Sequence, residues 1–334
     1  MSTLWKDVVE GAVDTQESSI DTAAIEAMVT EDPSTMIEYV AGCTEGMVAL
    51  EAAVAMAEGR CAVKYVTATE SAAKEEATAT MEGVLANAWD ALKEMAEKAW
   101  EAIKKFIKKA WNKMKGYYNV VKAFFGKYGA VIKGKNVNPE ISWTEIDLSQ
   151  GVNIATRLVD NLPAASDKDD EFYTSHSTGS GSNQSNQEYY DEIHGAFFPD
   201  GEDAKKSNWK AHKEQAIKVA DQGLDSIYQG MFKLGDKSER DIISDIKRQA
   251  KEDTDRVKGS DQKKESYRGR ASKRTRVAIY IVRTMASMGH RAATRLYNQS
   301  VKACRAVIRT EAETSSATYG AESASLDSFM SEIL

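Results

Sequence analysis

The sequence predicts a mainly α protein, a helical bundle or an elongated helical assembly protein with one small β-containing segment near residues 131–150. Three observations carry this. Only four prolines fall in 334 residues, among abundant Ala, Glu and Lys, which are good helix formers. From Met81 onward, apolar residues recur in steps of three and four. β-prone alternation is confined to Ile141-Ser-Trp143-Thr-Glu-Ile146-Asp-Leu148, which predicts a short strand or hairpin.

Taken in order, residues 1–80 predict an acidic leader rich in Ala, Glu and Met, with helix-sized groupings at Ile25, Met28 and Val29 and at Met47, Leu50 and Val54. Asp32-Pro33 is a start signal, because proline is tolerated in the first turn, where its missing N–H has no partner anyway. The next helix is therefore expected from about Ser34. Residues 81–163 predict a basic amphipathic helix followed by the β-prone segment. In that helix Trp89, Leu92, Ile103, Phe106, Met114, Tyr117 and Phe124 form one column, and Trp100, Ile107 and Trp111 a second. The resulting face is wider than a two-stranded seam needs, so it calls for several neighbours or a membrane surface. Gly116 predicts a bend and Gly129 a stop.

Val152 to Leu162 predicts a helix closed by Pro163, and the Ser-, Gly-, Asn- and Gln-rich run at 164–189 a flexible linker without regular structure. Beyond the turn Pro199-Asp-Gly201, helices are expected at about 203–234 and 238–257, the second opened by a Ser238-x-x-Asp241 capping box. A basic polar stretch leads into a last helix at about 277–312, completing a C-terminal helical domain at 190–314. Residues 315–334 are an acidic tail ending in an apolar knot.

Charge is segregated along the chain. Successive blocks at 1–97, 98–135, 136–255, 256–309 and 310–334 carry −14, +10, −11, +13 and −5, a net −7. Alternating blocks can neutralise one another within the chain or between subunits, and basic ones can bind a polyanion. In the last basic block Arg268, Arg270, Lys273, Arg274, Arg276, Arg283, Arg291 and Arg295 are candidates to meet DNA phosphates or an acidic partner. The first of these precede the apolar periodicity, so charge reversal there is expected to leave the fold intact.

No catalytic, cofactor or metal site is expected. Cys43, Cys61 and Cys304 are too far apart for a knuckle and read as buried thiols, and no Cys or His pair has ligand spacing. His176, His194, His212 and His290 sit in no catalytic motif. Apolar runs fall short of a membrane span, and the N-terminus lacks the basic-then-apolar order of a signal peptide, so a cytoplasmic product is expected.

An acidic Ala/Glu/Met-rich leader followed by Trp89-Asp-Ala-Leu-Lys-Glu-Met-Ala-Glu-Lys-Ala-Trp-Glu-Ala-Ile-Lys-Lys-Phe-Ile-Lys-Lys-Ala-Trp-Asn-Lys-Met-Lys115, then Phe125-Gly-Lys-Tyr-Gly-Ala-Val-Ile-Lys-Gly-Lys135, resembles virion structural proteins of large tailed bacteriophages, of the internal head or prohead-core type. The resemblance implies a non-enzymatic head protein without cofactor, assembled with copies of itself and other virion proteins, with packaged DNA a further partner. It also implies trimming after a Glu that follows a small residue two places earlier, which Ala68-Thr-Glu70 and Gly320-Ala-Glu322 satisfy. The alternatives are a membrane-active protein using helix 89–128 and a DNA-coating protein using block 256–309.

Overall fold

The computed structural model describes residues 33–134, 137–165, 181–258 and 268–314. Among them are seven helices and two short strands, so the protein is mainly α: α1 Pro33–Thr67, α2 Ser71–Gly134, β1 Glu140–Trp143, α3 Leu148–Asp160, α4 Gly181–Phe197, β2 Lys205–Asn208, α5 Trp209–Gln222, α6 Asp225–Lys258 and α7 Arg268–Thr314. The described residues fall into two units that each draw on three stretches of the chain. The first takes residues from Met1–Lys109, Asn153–Ile193 and Gly230–Ser287, and the second from Ala110–Val152, His194–Gln229 and Met288–Leu334.

In the first unit α1 begins at the expected proline and buries Met36, Val40, Cys43, Met47, Leu50, Val54, Ala57 and Cys61. The steps alternate strictly between four and three. That heptad spacing keeps one stripe against the core along the whole helix. α1 is also, by length and composition, a helix that could cross a membrane, its most apolar window having a mean hydropathy of 1.4 with 39% buried. Interrupted apolar runs had predicted no such helix, but Ala, Gly, Val and Met between sparse charges raise the average. The first part of α7 supplies the unit's centre. Ala278, Ile279, Ile281, Val282, Met285 and Ala286 are all 0–1% exposed and form one broad buried face of the helix, while Tyr280, Arg283 and Ser287 on its other side are half-buried.

The second unit holds the sheet. β1 pairs antiparallel with β2, Glu140 opposite Asn208 and Trp143 opposite Lys205. The partner strand is more than sixty residues away in sequence, so β1 is not half of a hairpin. Gln299 of α7 fastens the strand's end: its carboxamide accepts from the Thr144 N–H at 3.0 Å and donates to the Thr144 C=O at 2.9 Å. A side-chain amide thus satisfies a buried backbone pair as a neighbouring strand would.

Several boundaries differ from the sequence expectation. α2 runs unbroken through Gly116, Gly126 and Gly129, because a glycine weakens a helix by only about 1 kcal/mol and packing overrides that. α4 begins at Gly181, inside the stretch read as linker, since its C-terminal end buries Ile193 and Phe197; residues 166–180 lie outside the described residues. The break expected before Ser238 falls at Gly223, whose φ of +69° ends α5 and whose N–H donates to Val219 C=O. Ser238 caps nothing; it is buried in the interior of α6. α7 starts at Arg268, well before Val277, because its arginines find the buried Asp245 and the half-buried Glu51 and Glu58. The segments 1–32 and 315–334, including the apolar knot and Glu322, lie outside the described residues.

Candidate functional site

The face of helix 89–128 offered for assembly or a membrane is core in the folded chain. In the first unit Trp89, Leu92, Trp100, Ile103, Phe106 and Ile107 are 0–5% exposed. In the second, Met114 is buried and Trp111 half-buried, its indole N–H donating to Asp225 at 2.8 Å. The side chains of Tyr117 and Phe124 lie outside the described residues. The described aromatics of this face are thus taken up by burial rather than by an exposed surface. Trp89 adds a polar tie, its indole N–H donating to the buried Asp253 carboxylate at 3.2 Å.

The arginine-rich stretch is tied into ion pairs. In the first unit Arg268 donates bidentately to Glu58 of α1, both bonds at 3.0 Å, Arg274 pairs with Asp245 at 2.8 Å, and Arg276 pairs with Glu51 at 3.2 Å. Arg270 is buried, Lys273 half-buried, and the half-buried Arg283 donates to the Ile37 C=O at 3.4 Å over the Tyr280 ring. Burial holds the Arg283 guanidinium below its ordinary pKa, against the opposing pull of Tyr280. It also pushes the Glu51 carboxyl up despite Arg276. The expectation that these side chains could be reversed without unfolding is corrected, because the helix begins at Arg268 and turns them inward. The lysine face is engaged too: Lys104 reaches Glu239 at 2.5 Å and Asp236 at 3.5 Å. Burial alone would depress that ammonium, but Glu239 and Asp236 hold it above its usual value.

In the second unit Glu202 organises the remaining candidates. Its carboxylate accepts from Arg291 at 2.6 Å and lies 3.0 Å from His194 Nε2, while Arg295 donates to the Glu202 C=O at 2.6 Å. Both guanidinium groups sit over the Phe198 ring, 5.8 Å from its centroid. Glu202 lies beside the turn closed by Gly201, whose φ is +83° and whose N–H donates to Phe198 C=O. Sequence reasoning found the turn but not the carboxylate, since a lone Glu in a loop carries no spacing signal.

The same unit brings three groups into a row that sequence spacing did not announce. Ser207 Oγ lies 2.8 Å from His212 Nε2, and His212 Nδ1 lies 3.4 Å from Glu145. In order of atoms this resembles a hydrolase relay. Its packing says fastening instead: the imidazole is stacked on Trp143 at 4.6 Å and joins β2, the start of α5 and the loop after β1. A cleft of about 780 Å³ in this unit is lined by Glu145, Asp147, Lys218 and Asp225 among others, and neither Ser207 nor His212 lines it. Cys43, Cys61 and Cys304 are free and buried, and no cluster of His, Cys, Asp and Glu suited to a metal ion occurs among the described residues.

Residues 6–133 match the model of the phiKZ-like phage internal head proteins. That segment resembles the phiKZ-like phage internal head proteins. The internal head match takes in the acidic leader from residue 6, α1 within it, and all but the last residue of α2; residues 1–5 and 134–334 lie outside it. The resemblance drawn from the Trp89–Lys115 pattern is therefore shown, and with it the head as the place of the family's members. No curated protein and no solved structure matches the chain.

Proposed function

We propose that this protein is a non-enzymatic structural component of a phage head, present in many copies and held by contacts with its own kind and with other virion proteins. The observation that carries the reading is the internal head match over residues 6–133, which covers α1 and all but the last residue of the long helix α2. The arginine pairs support protein contacts over a DNA coat, since Arg268, Arg274 and Arg276 are already neutralised by Glu58, Asp245 and Glu51. Burial of Trp100, Ile103 and Ile107 likewise speaks against a membrane role for helix 89–128.

Mass spectrometry of purified virions tests the assignment: peptides from both units should be present at many copies per particle, and their absence sinks it. Binding of duplex DNA of arbitrary sequence is expected to be weak at physiological salt. A tight complex whose affinity falls steeply with salt would instead restore the DNA-coating reading. Processing is part of the same proposal. Glu70 is exposed in the non-helical link between α1 and α2, so a mature N-terminus at Ser71 is expected in the same spectra.

A further inference from the structure

We infer that the outer face of α1 is a self-association surface on which two copies of this chain pair antiparallel. Among the described residues the exposed large hydrophobic side chains are Val48, Met56, Val63 and Val66, at 46%, 58%, 63% and 81% exposure, and all four lie on α1. With Ala52 and Gly59 they recur in steps of three and four, on the side of the helix opposite the buried heptad stripe. Apolar residues scattered singly over a surface need no partner; a continuous stripe about 27 Å long does. Small residues lie at its middle, and nothing lies within 4 Å of a Cβ built on Gly59. A second backbone can therefore approach closely.

The occupant is identified by charge. Glu38 and Glu45 are exposed in line with the stripe at its N-terminal end, and Arg60 and Lys64 are exposed beside its C-terminal end. A parallel pair would set acid against acid and base against base. An antiparallel pair about a two-fold axis near Ala55 sets Glu45 beside the partner's Lys64 at both ends. Such a two-fold contact uses the same patch twice and closes on itself. A lipid surface is the competing occupant of an apolar helix, but entering a bilayer would strip α1 from its core. It would also break the Arg268–Glu58 and Arg276–Glu51 pairs that hold the helix to α7. Pairing through α1 extends the head reading without depending on it, because a chain absent from virions could still pair.

Sedimentation of the full chain in solution tests this. Dimers are expected at micromolar concentrations. Gly59→Leu has room within one chain and improves helix propensity, so the fold should stay intact while closer approach is blocked, and the dimer should weaken by about tenfold or more. Lys64→Glu should weaken it in a salt-sensitive way, and Glu45→Lys added to Lys64→Glu should restore it. A chain that stays monomeric at high concentration overturns the inference, as does a dimer indifferent to both Gly59→Leu and the charge swap. Binding to lipid vesicles that Gly59→Leu strengthens would assign the face to a membrane and overturn it too.

Discussion

At the scale of single residues, burial converts modest chemistry into large effects. Ile103 is wholly inaccessible within the first unit, so Ile103→Asp places a charge where water cannot reach it. Destabilisation of about 4 kcal/mol is expected in urea unfolding, enough to populate the unfolded chain. His290 shows the same principle through a proton. Its Nδ1 lies 2.8 Å from the Tyr228 hydroxyl, and burial, aided by Lys113, lowers its pKa to about 4 from an ordinary 6.5. The folded state favours the neutral ring, so this contribution is complete above pH 6.5 and is lost as pH falls from 6.5 through 4. Such a shift is worth about 3 kcal/mol. Chemical denaturation repeated between pH 7 and pH 4 should show the loss, and His290→Gln should flatten it. The thiols work in the other direction: burial raises Cys43 to about 11 and Cys304 to about 12, so stability is held below pH 9 and declines as pH rises through those values.

At the scale of elements, the glycines separate into two kinds. Gly116 and Gly126 sit in the unbroken α2 with nothing within 4 Å of a Cβ. Changing both to Ala should raise stability by about 1–2 kcal/mol in all, because alanine removes unfolded-state freedom without meeting a neighbour. Gly151 is the opposite case, since a Cβ there would stand 2.4 Å from the Phe197 ring. Gly151→Ala should cost about 1–3 kcal/mol by forcing that ring off its place. Thermal melting of the two variants should therefore shift in opposite directions from the parent. Gly223 follows a third rule, its positive φ ending α5 against the Tyr118 ring, 3.1 Å from where a Cβ would stand.

At the scale of the whole molecule, charge is the organising quantity. The Arg268, Arg274 and Arg276 side chains face Glu58, Asp245 and Glu51, so reversing all three leaves six like charges in close quarters. The triple Glu variant should lose several kcal/mol of stability, and unfold before any change in DNA affinity could be read, because each reversal leaves a partly buried carboxylate facing another. Circular dichroism on heating checks this. The same internal pairing leaves links rather than helices open to attack. A glutamate-specific protease should cleave after Glu70 ahead of the helical glutamates among the described residues, since Thr69 and Glu70 are exposed and residues 68–70 lie outside any helix.

Local chemistry made much of this readable without coordinates. Proline at residue 33 marks a helix start through its own ring, the three-and-four spacing of Trp89 to Met114 marks an amphipathic helix, and alternation around Ile141 marks a strand. Each signal arises among neighbours in the chain, and so survives in the sequence. What covers a face does not. Whether Trp100 meets a membrane, another subunit or its own core, whether Arg268 meets phosphate or Glu58, and that β1 finds its partner at Lys205–Asn208 are choices between competitors far apart in sequence. The helix-breaking weight of Gly116, the capping weight of Ser238 and the disordering weight of Gly181 to Gln187 are each about 1 kcal/mol or less per residue, and a few buried side chains outweigh them. Composition and periodicity therefore determined that this protein is built of long amphipathic helices with segregated charge. Only the tertiary structure decided which faces are spent inside it, because burial is settled by the partners that packing brings together.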